Sequence, residues 1–266
     1  MSWTLFKATL KANWILALVF VLIVLIYVTT AVSMFDPVSA ENIRAMVDLL
    51  PEGMTRAMGF AGLGTDLTSY LANYLYGFIM VIFPLVYSVV VANRLIAKHV
   101  DSGSMAYLLT TPTTRVRIAT TQAVYLAVSL LFIFVVAVAV AVVIAESMFA
   151  SMLDVGRYVR LNVVAYLALL AGAGVSYLSS CSFSDTRHSL AFGAGIPVVF
   201  LVARMVSKIS DEVAWARYLS LYSFIDVERL LADPGYAVAS SAILLAASLA
   251  LFAAAVVVFQ RRSLAL

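Results

Sequence analysis

The chain contains two histidines, His99 and His188, and neither has a cluster of His, Cys or carboxylate neighbours at ligand spacing. A zinc site needs three or four such ligands, so metal chemistry finds no support. Asp185, Arg187 and His188 crowd one short loop. Intramembrane acid-base catalysis could use such a group, but a tight turn between apolar runs ordinarily collects these residues for solvation. No Gly-x-x-x-x-Gly-Lys-Ser/Thr stretch occurs, so the chain has no phosphate-cradling loop of its own for ATP. The lone Cys181 lies in an apolar stretch, where it cannot form an intrachain disulfide and packs as a small apolar residue.

What remains is the set of polar groups inside apolar runs. Tyr70, Asn73, Tyr74 and Gly77 recur at helical spacing, with Tyr76, Tyr87 and Ser88 further along. Polar side chains in lipid-embedded segments turn toward protein or a water-filled path. Asn73, Tyr74 and Tyr87 are therefore candidates to line a translocation path, although interhelical hydrogen bonds and an outer aromatic belt are the favoured alternative. Pro197, closing the run Gly193-Ala194-Gly195-Ile196-Pro197, is a further candidate because broken helices mark binding sites in transporters. A structural kink there is an equal alternative. Arg204 is expected to snorkel toward headgroups rather than contact a substrate, and Ala168, Gly172 and Ser176 read as a small-residue packing ridge.

Composition fixes the elements that must position these groups. The 266 residues are 64% hydrophobic and 12% charged, against roughly 25% charged in an ordinary soluble domain. Mean hydropathy is +1.04. The basic residues sit singly between apolar runs, so the net charge of +3 marks topology rather than nucleic-acid binding. A bilayer core of about 30 Å needs about 20 helical residues. Six runs qualify, at about 14–34, 70–92, 118–144, 161–183, 190–206 and 237–259. The expected fold is all-α: a polytopic integral membrane protein with six transmembrane helices in one domain, 1–266. The first run follows Lys7 and Lys11 and precedes Ala31-Val32-Ser33, as a signal peptide would, but it is too long for a typical h-region and is expected to be retained.

Lys7, Lys11, Arg94, Lys98, Arg115, Arg117, Arg261 and Arg262 flank the spans on one side. The positive-inside rule then places both ends of the chain in the cytoplasm. On the outer side, Ser39 is positioned to cap a short helix carrying Ile43, Met46, Val47 and Leu50, stopped by Pro51-Glu52-Gly53. The stretch from Asp211 to Asp233, with Trp215, Tyr218, Tyr222 and Phe224, suits interfacial or re-entrant helices. Near the N-terminus, Trp3, Phe6, Leu10 and Trp14 interleave with Lys7 and Lys11 like an amphipathic elbow under the membrane. For each of these segments, a plain anchoring flank is an equal alternative.

The connection from Asn93 to Ile118 is the most informative. Asp101 or Ser102 is placed to cap a short helix, Met105, Leu108 and Leu109 form an apolar stripe at i, i+3 and i+4, and Pro112 follows the helix end. So short a helix is unstable alone. It needs a surface to pack against, and a partner's groove supplies one.

The run Asp101-x-Gly103-Ser104-Met105-x-Tyr107-Leu108-Leu109-x-Thr111-Pro112-x-x-Arg115 resembles the coupling element of ABC-2 type permeases, the membrane subunits of a class of ABC transporters. Phe259-Gln260-Arg261-Arg262-Ser263-Leu264 resembles their C-terminus, and Tyr218-Leu219-Ser220-Leu221-Tyr222-Ser223-Phe224-Ile225-Asp226 their outer stretch before the last span. Together with the six-span layout, the resemblance extends over nearly the whole chain. It implies that Asp101, Gly103, Met105, Leu108, Leu109, Pro112 and Arg115 belong to a coupling helix, about 101–112, that docks onto a separate ABC ATPase subunit. That subunit binds the ATP and Mg, leaving no cofactor in this chain. A second permease copy or a paralogue completes the transporter in the cell membrane of a bacterium. Hydrophobic or amphipathic cargo and outward transport follow from the resemblance alone. A non-transporting scaffold or sensor, and a membrane-embedded enzyme, are the competing classes; substrate-stimulated ATP hydrolysis in a reconstituted complex separates them from a permease.

Overall fold

The computed structural model describes residues 1–36, 54, 66–110 and 113–262. The expected outer helix over 43–50 lies outside the described residues. The described secondary structure is helical: α1 Trp3–Ser33, α2 Leu67–Tyr76, α3 Ile79–Leu95, α4 Ala97–Asp101, α5 Met105–Leu109, α6 Arg115–Met148, α7 Val155–Ser182 and α8 Thr186–Val206. Two 3-10 segments, Asp211–Leu219 and Leu221–Phe224, lead to α9 Val227–Ala232 and α10 Pro234–Arg261. Among the described residues, six helical stretches are long and apolar enough to cross a membrane: Trp3–Ser33, Ile79–Asp101, Arg115–Met148, Val155–Ser182, Thr186–Val206 and Pro234–Arg261.

Side-chain caps start most of these helices. Asp66 accepts from the Ser69 amide at 3.0 Å, Thr114 from Arg117 at 3.2 Å, Asp154 from Arg157 at 3.0 Å and Asp185 from His188 at 2.8 Å. Each satisfies one of the four amides that a helix start leaves unpaired. Asp233 caps α10 by accepting from the Gly235 amide at 2.8 Å, with Pro234 at the first turn, where its missing N–H costs nothing.

Helix α7 is the axis of the bundle, with 78% of its most apolar window buried against 22% for α10. It packs on α10, α8, α3 and α6, while α1 lies against α6 on the flank. The distribution of polarity follows from this. Asn162, Ser176, Ser179 and Ser180 of α7 are buried, whereas Ile15, Ile26, Phe132, Val143, Val238 and Leu249 face outward. In lipid an apolar exterior costs nothing, and small or hydroxylated residues let helix backbones approach one another. Ser176 Oγ accordingly donates to the Gly193 carbonyl at 2.7 Å and Ser179 Oγ to the Ser189 carbonyl at 2.9 Å. Added as a Cβ, any side chain at Gly193 would touch the Ser176 backbone at 3.4 Å.

Three expectations change. The amphipathic elbow over Trp3–Trp14 is not a separate element, since α1 runs unbroken from Trp3 to Ser33. Pro197 does not interrupt its span, because α8 continues through it. The break comes instead at Gly77-Phe78, so the second span begins at Ile79 and α2 stands apart from it.

Candidate functional site

At the end of the bundle where Ser2 and Arg262 lie against α6, α4 and α5 form an elbow. Gly103 turns the chain with φ of 70°, a left-handed conformation that a residue with a Cβ adopts only under strain. The side chain of Asp101 does not cap α5, nor does Ser102. Instead, Asp101 Oδ2 accepts from Thr186 Oγ1 at 2.8 Å, tying the elbow to the start of α8. The Ala97 amide donates to Ser180 Oγ of α7 at 3.0 Å, and His99 Nδ1 lies 2.9 Å from Ser104 Oγ. The apolar stripe is turned inward at Met105, which is fully buried in the chain's own core, and Leu108 packs partly against it. Tyr107 is 80% exposed and is the side chain this elbow presents outward. Pro112 and the side chain of Leu109 lie outside the described residues.

Beside the elbow, Arg115 Nη1 donates to the Arg262 carbonyl at 2.7 Å. Arg262 Nη1 donates in turn to the carbonyls of Cys181 at 3.0 Å and Phe183 at 2.8 Å, and Nη2 to Ser184 Oγ. The last carbonyls of a helix are unpaired and carry its negative dipole end, and a guanidinium fork satisfies two at once. The C-terminal Arg262 is thus a cap on α7 as well as a basic flank. Asp185, next in the chain, accepts from the His188 backbone and imidazole, which hold its carboxyl below the usual range. Its crowding with His188 is helix capping in an exposed turn.

The opposite end is closed by the 3-10 segments and α9. Arg204 does not snorkel. It is 2% exposed and donates to the carbonyls of Tyr76 at 2.9 Å, Gly77 at 3.4 Å and Ile225 at 3.1 Å. The first two oxygens are left free where α2 stops and the third just before α9, and within a membrane protein such groups must find an internal partner. Lys208 is half-buried one turn on. Burial, and next the repulsion of Arg204, push its ammonium down to about 8, against the pull of Asp226 and Glu228. Between about 8 and the ordinary 10.5 the folded chain therefore holds fewer protons than the unfolded one, so stability rises with pH across that window. Lys208→Met is expected to flatten this rise in unfolding midpoints taken from pH 8 to pH 10. Equal slopes for both proteins would assign the titration elsewhere.

The translocation-path candidates are not brought together. Asn73 is buried and donates from Nδ2 to the Ser69 carbonyl of its own helix at 3.0 Å. Tyr74 stacks between Tyr27 and Tyr70, with centroids 5.7 Å away on each side. Tyr87 is fully buried with its ring 5.4 Å from Phe20, near Ser129 and Tyr125. Pro197 is buried on α8. None of the four lines the cavity of about 530 Å³ at this end, which is walled by Phe200, residues 217–221, Ser223, Phe224, Asp226, Arg229 and Tyr236. Nothing in the sequence singled out Arg217, Arg229 or Tyr236 as a group; their one local mark is that Arg217 directly precedes Tyr218.

Six apolar helices, with the polar-lined α7 at their axis, make this a multi-pass α-helical membrane protein. Residues 6–264 match the family model described as ABC-2 family transporter protein; the chain belongs to that family and is a permease of the ABC transporter type. No match was found among curated proteins.

Proposed function

We propose that the chain is the membrane subunit of an ATP-driven exporter of hydrophobic or amphipathic compounds. Two copies, or one copy and a paralogue, stand on a pair of ABC ATPase subunits that bind ATP and Mg, with the chain termini and the elbow in the cytoplasm of a bacterial cell. The observation that carries this reading is the elbow. A short segment with an exposed Tyr107 is fixed to the bundle by buried Met105, by Ser180 of α7 and by Thr186 of α8. A push on so anchored a lever passes to the axial helix α7 and to α8 as a rigid-body movement, because packed helices shift as units rather than deform. Met105 then acts as the anchor, and Tyr107, rather than the Met105–Leu108 stripe, is the contact offered to a partner.

The test is co-expression of the intact chain with ABC ATPase subunits and reconstitution of the complex that co-purifies. Tyr107→Ala removes an exposed ring and leaves the fold intact, since surface substitutions ordinarily stay within about 0.5 kcal/mol. Buried aromatic anchors at an interface cost about 2 kcal/mol or more on truncation, so ATPase binding is expected to fall about thirtyfold, with substrate-stimulated ATP hydrolysis falling alongside. Unchanged binding removes the elbow from the coupling role. Failure of any ABC ATPase to co-purify with the wild-type chain removes the permease assembly itself.

A further inference from the structure

The cavity at the end opposite the elbow has a chemistry that the transport reading does not use. Two guanidiniums and one carboxylate stand on its wall: Arg217, Arg229 and Asp226. Asp226 pairs with Arg229 at 3.4 Å and accepts from its amide at the start of α9, so one positive charge is locally compensated. Arg217 has no carboxylate partner among the described residues; it donates to the Tyr218 hydroxyl at 2.8 Å and lies over the Tyr218 ring, 4.8 Å from its centroid. Arg229 lies 5.9 Å from the centroid of Tyr236. Aromatic faces hold both guanidiniums in place without neutralising them. Phe200, Leu219, Leu221 and Phe224 supply apolar wall, and Ser223, also in the wall, has an Oγ that is buried with no hydrogen-bond partner.

The rim fixes the level of the cavity. Tyr218 and Leu219 of the wall are 78% and 55% exposed, Trp215, two positions before Arg217 in the same 3-10 segment, is 61% exposed, and amphipathic rings gather where headgroups meet hydrocarbon. A second copy of this chain is a poor occupant, since it would bring the same uncompensated arginine against itself. A cavity of about 530 Å³ lies in the range of about 300–1,000 Å³ that takes a small molecule.

We infer that this cavity binds the anionic head of an amphiphile, a phosphate- or carboxylate-headed lipid of the adjoining leaflet, with Arg217 as the principal counter-ion and the apolar tail lying along Phe200, Leu219 and Phe224. The site is a property of the chain alone. Its binding is measured without any ATPase, so its failure and the failure of the transport reading are separate events.

The experiment uses the full chain carrying Trp3→Phe and Trp14→Phe, which leaves Trp215 as its one remaining indole, in phosphatidylcholine nanodiscs doped with brominated lipid. Brominated phosphatidylglycerol is expected to quench Trp215 with about fivefold higher apparent affinity than brominated phosphatidylcholine, the gain one arginine gives near an anionic headgroup. Arg217→Gln should bring the two lipids to equality, while Arg157→Gln, an exposed arginine paired with Asp154 on the same end, should leave the preference intact. Should Arg217→Gln fail to give a monodisperse helical protein, Leu219→Glu, which sets a carboxylate on the exposed part of the cavity wall two positions from Arg217, carries the same comparison. Equal quenching by both lipids in the parent protein, or an undiminished preference in the cavity variant, overturns the site. Inorganic phosphate at millimolar concentration should not displace the anionic lipid; if it does, the cavity is a free-anion site and the amphiphile assignment is overturned.

Discussion

Arg204→Ala is expected to destabilise the chain by about 3–5 kcal/mol, because it removes a buried charged donor that serves three backbone carbonyls. The guanidinium joins three elements, because its acceptors are the Tyr76 and Gly77 carbonyls at the end of α2 and the Ile225 carbonyl before α9. Alanine leaves these oxygens without their donor, at about 1–3 kcal/mol for each buried group that finds no replacement. Thermal unfolding in a mild detergent, followed by loss of helical ellipticity, should show the midpoint fall by about 10 °C on the usual scaling for chains of this size. Arg204→Lys should recover only part of the loss, since an ammonium is a point donor and the fork geometry is missing. A midpoint unchanged in the alanine variant would mean that water or a relaxed backbone already serves these carbonyls.

The second large effect concerns Gly172. A Cβ built there would lie 2.0 Å from the Tyr222 hydroxyl and 2.9 Å from its Cζ, so the ring from the second 3-10 segment occupies the space a side chain would take on α7. Tyr222 is 1% exposed and its neighbour Ser220 is held by the Phe200 carbonyl at 2.6 Å, which leaves the ring little freedom to withdraw. Gly172→Ala should therefore expel it and cost about 2–4 kcal/mol, at or somewhat above the usual 1–3 kcal/mol of core overpacking. Tyr222→Ala alone should cost about 3–5 kcal/mol as a large-to-small core change. The double variant should be less destabilised than the two singles added together by about 1–2 kcal/mol, since with the ring gone the added methyl has room; contacting residues couple on this scale. Strict additivity would show that Tyr222 does not sit on Gly172.

These two positions show how far a linear reading reaches. Arg204 stands near the end of an apolar run, where snorkelling is the local solution; only the folded chain reveals that three carbonyl oxygens converge there. Gly172 was legible as part of a small-residue ridge, but the occupant of the groove comes from Tyr222, fifty positions away. The elbow was legible as a motif and in its place between the second and third spans, while the inward turn of Met105 was not, because an apolar stripe packs equally well on its own bundle or on a partner. Likewise Tyr74, Tyr87 and Pro197 were visible as polar or helix-breaking residues in apolar runs, yet Tyr74 and Tyr87 are taken up by separate ring contacts and Pro197 is buried within an unbroken α8.

The six spans were determined by sequence alone, because transfer of an apolar run into lipid depends only on residues within one continuous stretch of about 20. The break at Gly77, the carbonyl clamps of Arg204 and Arg262, and the cavity around Arg217 were decided by tertiary structure. Each joins groups distant in the chain, and the need to satisfy buried backbone oxygens appears only once helices are packed side by side.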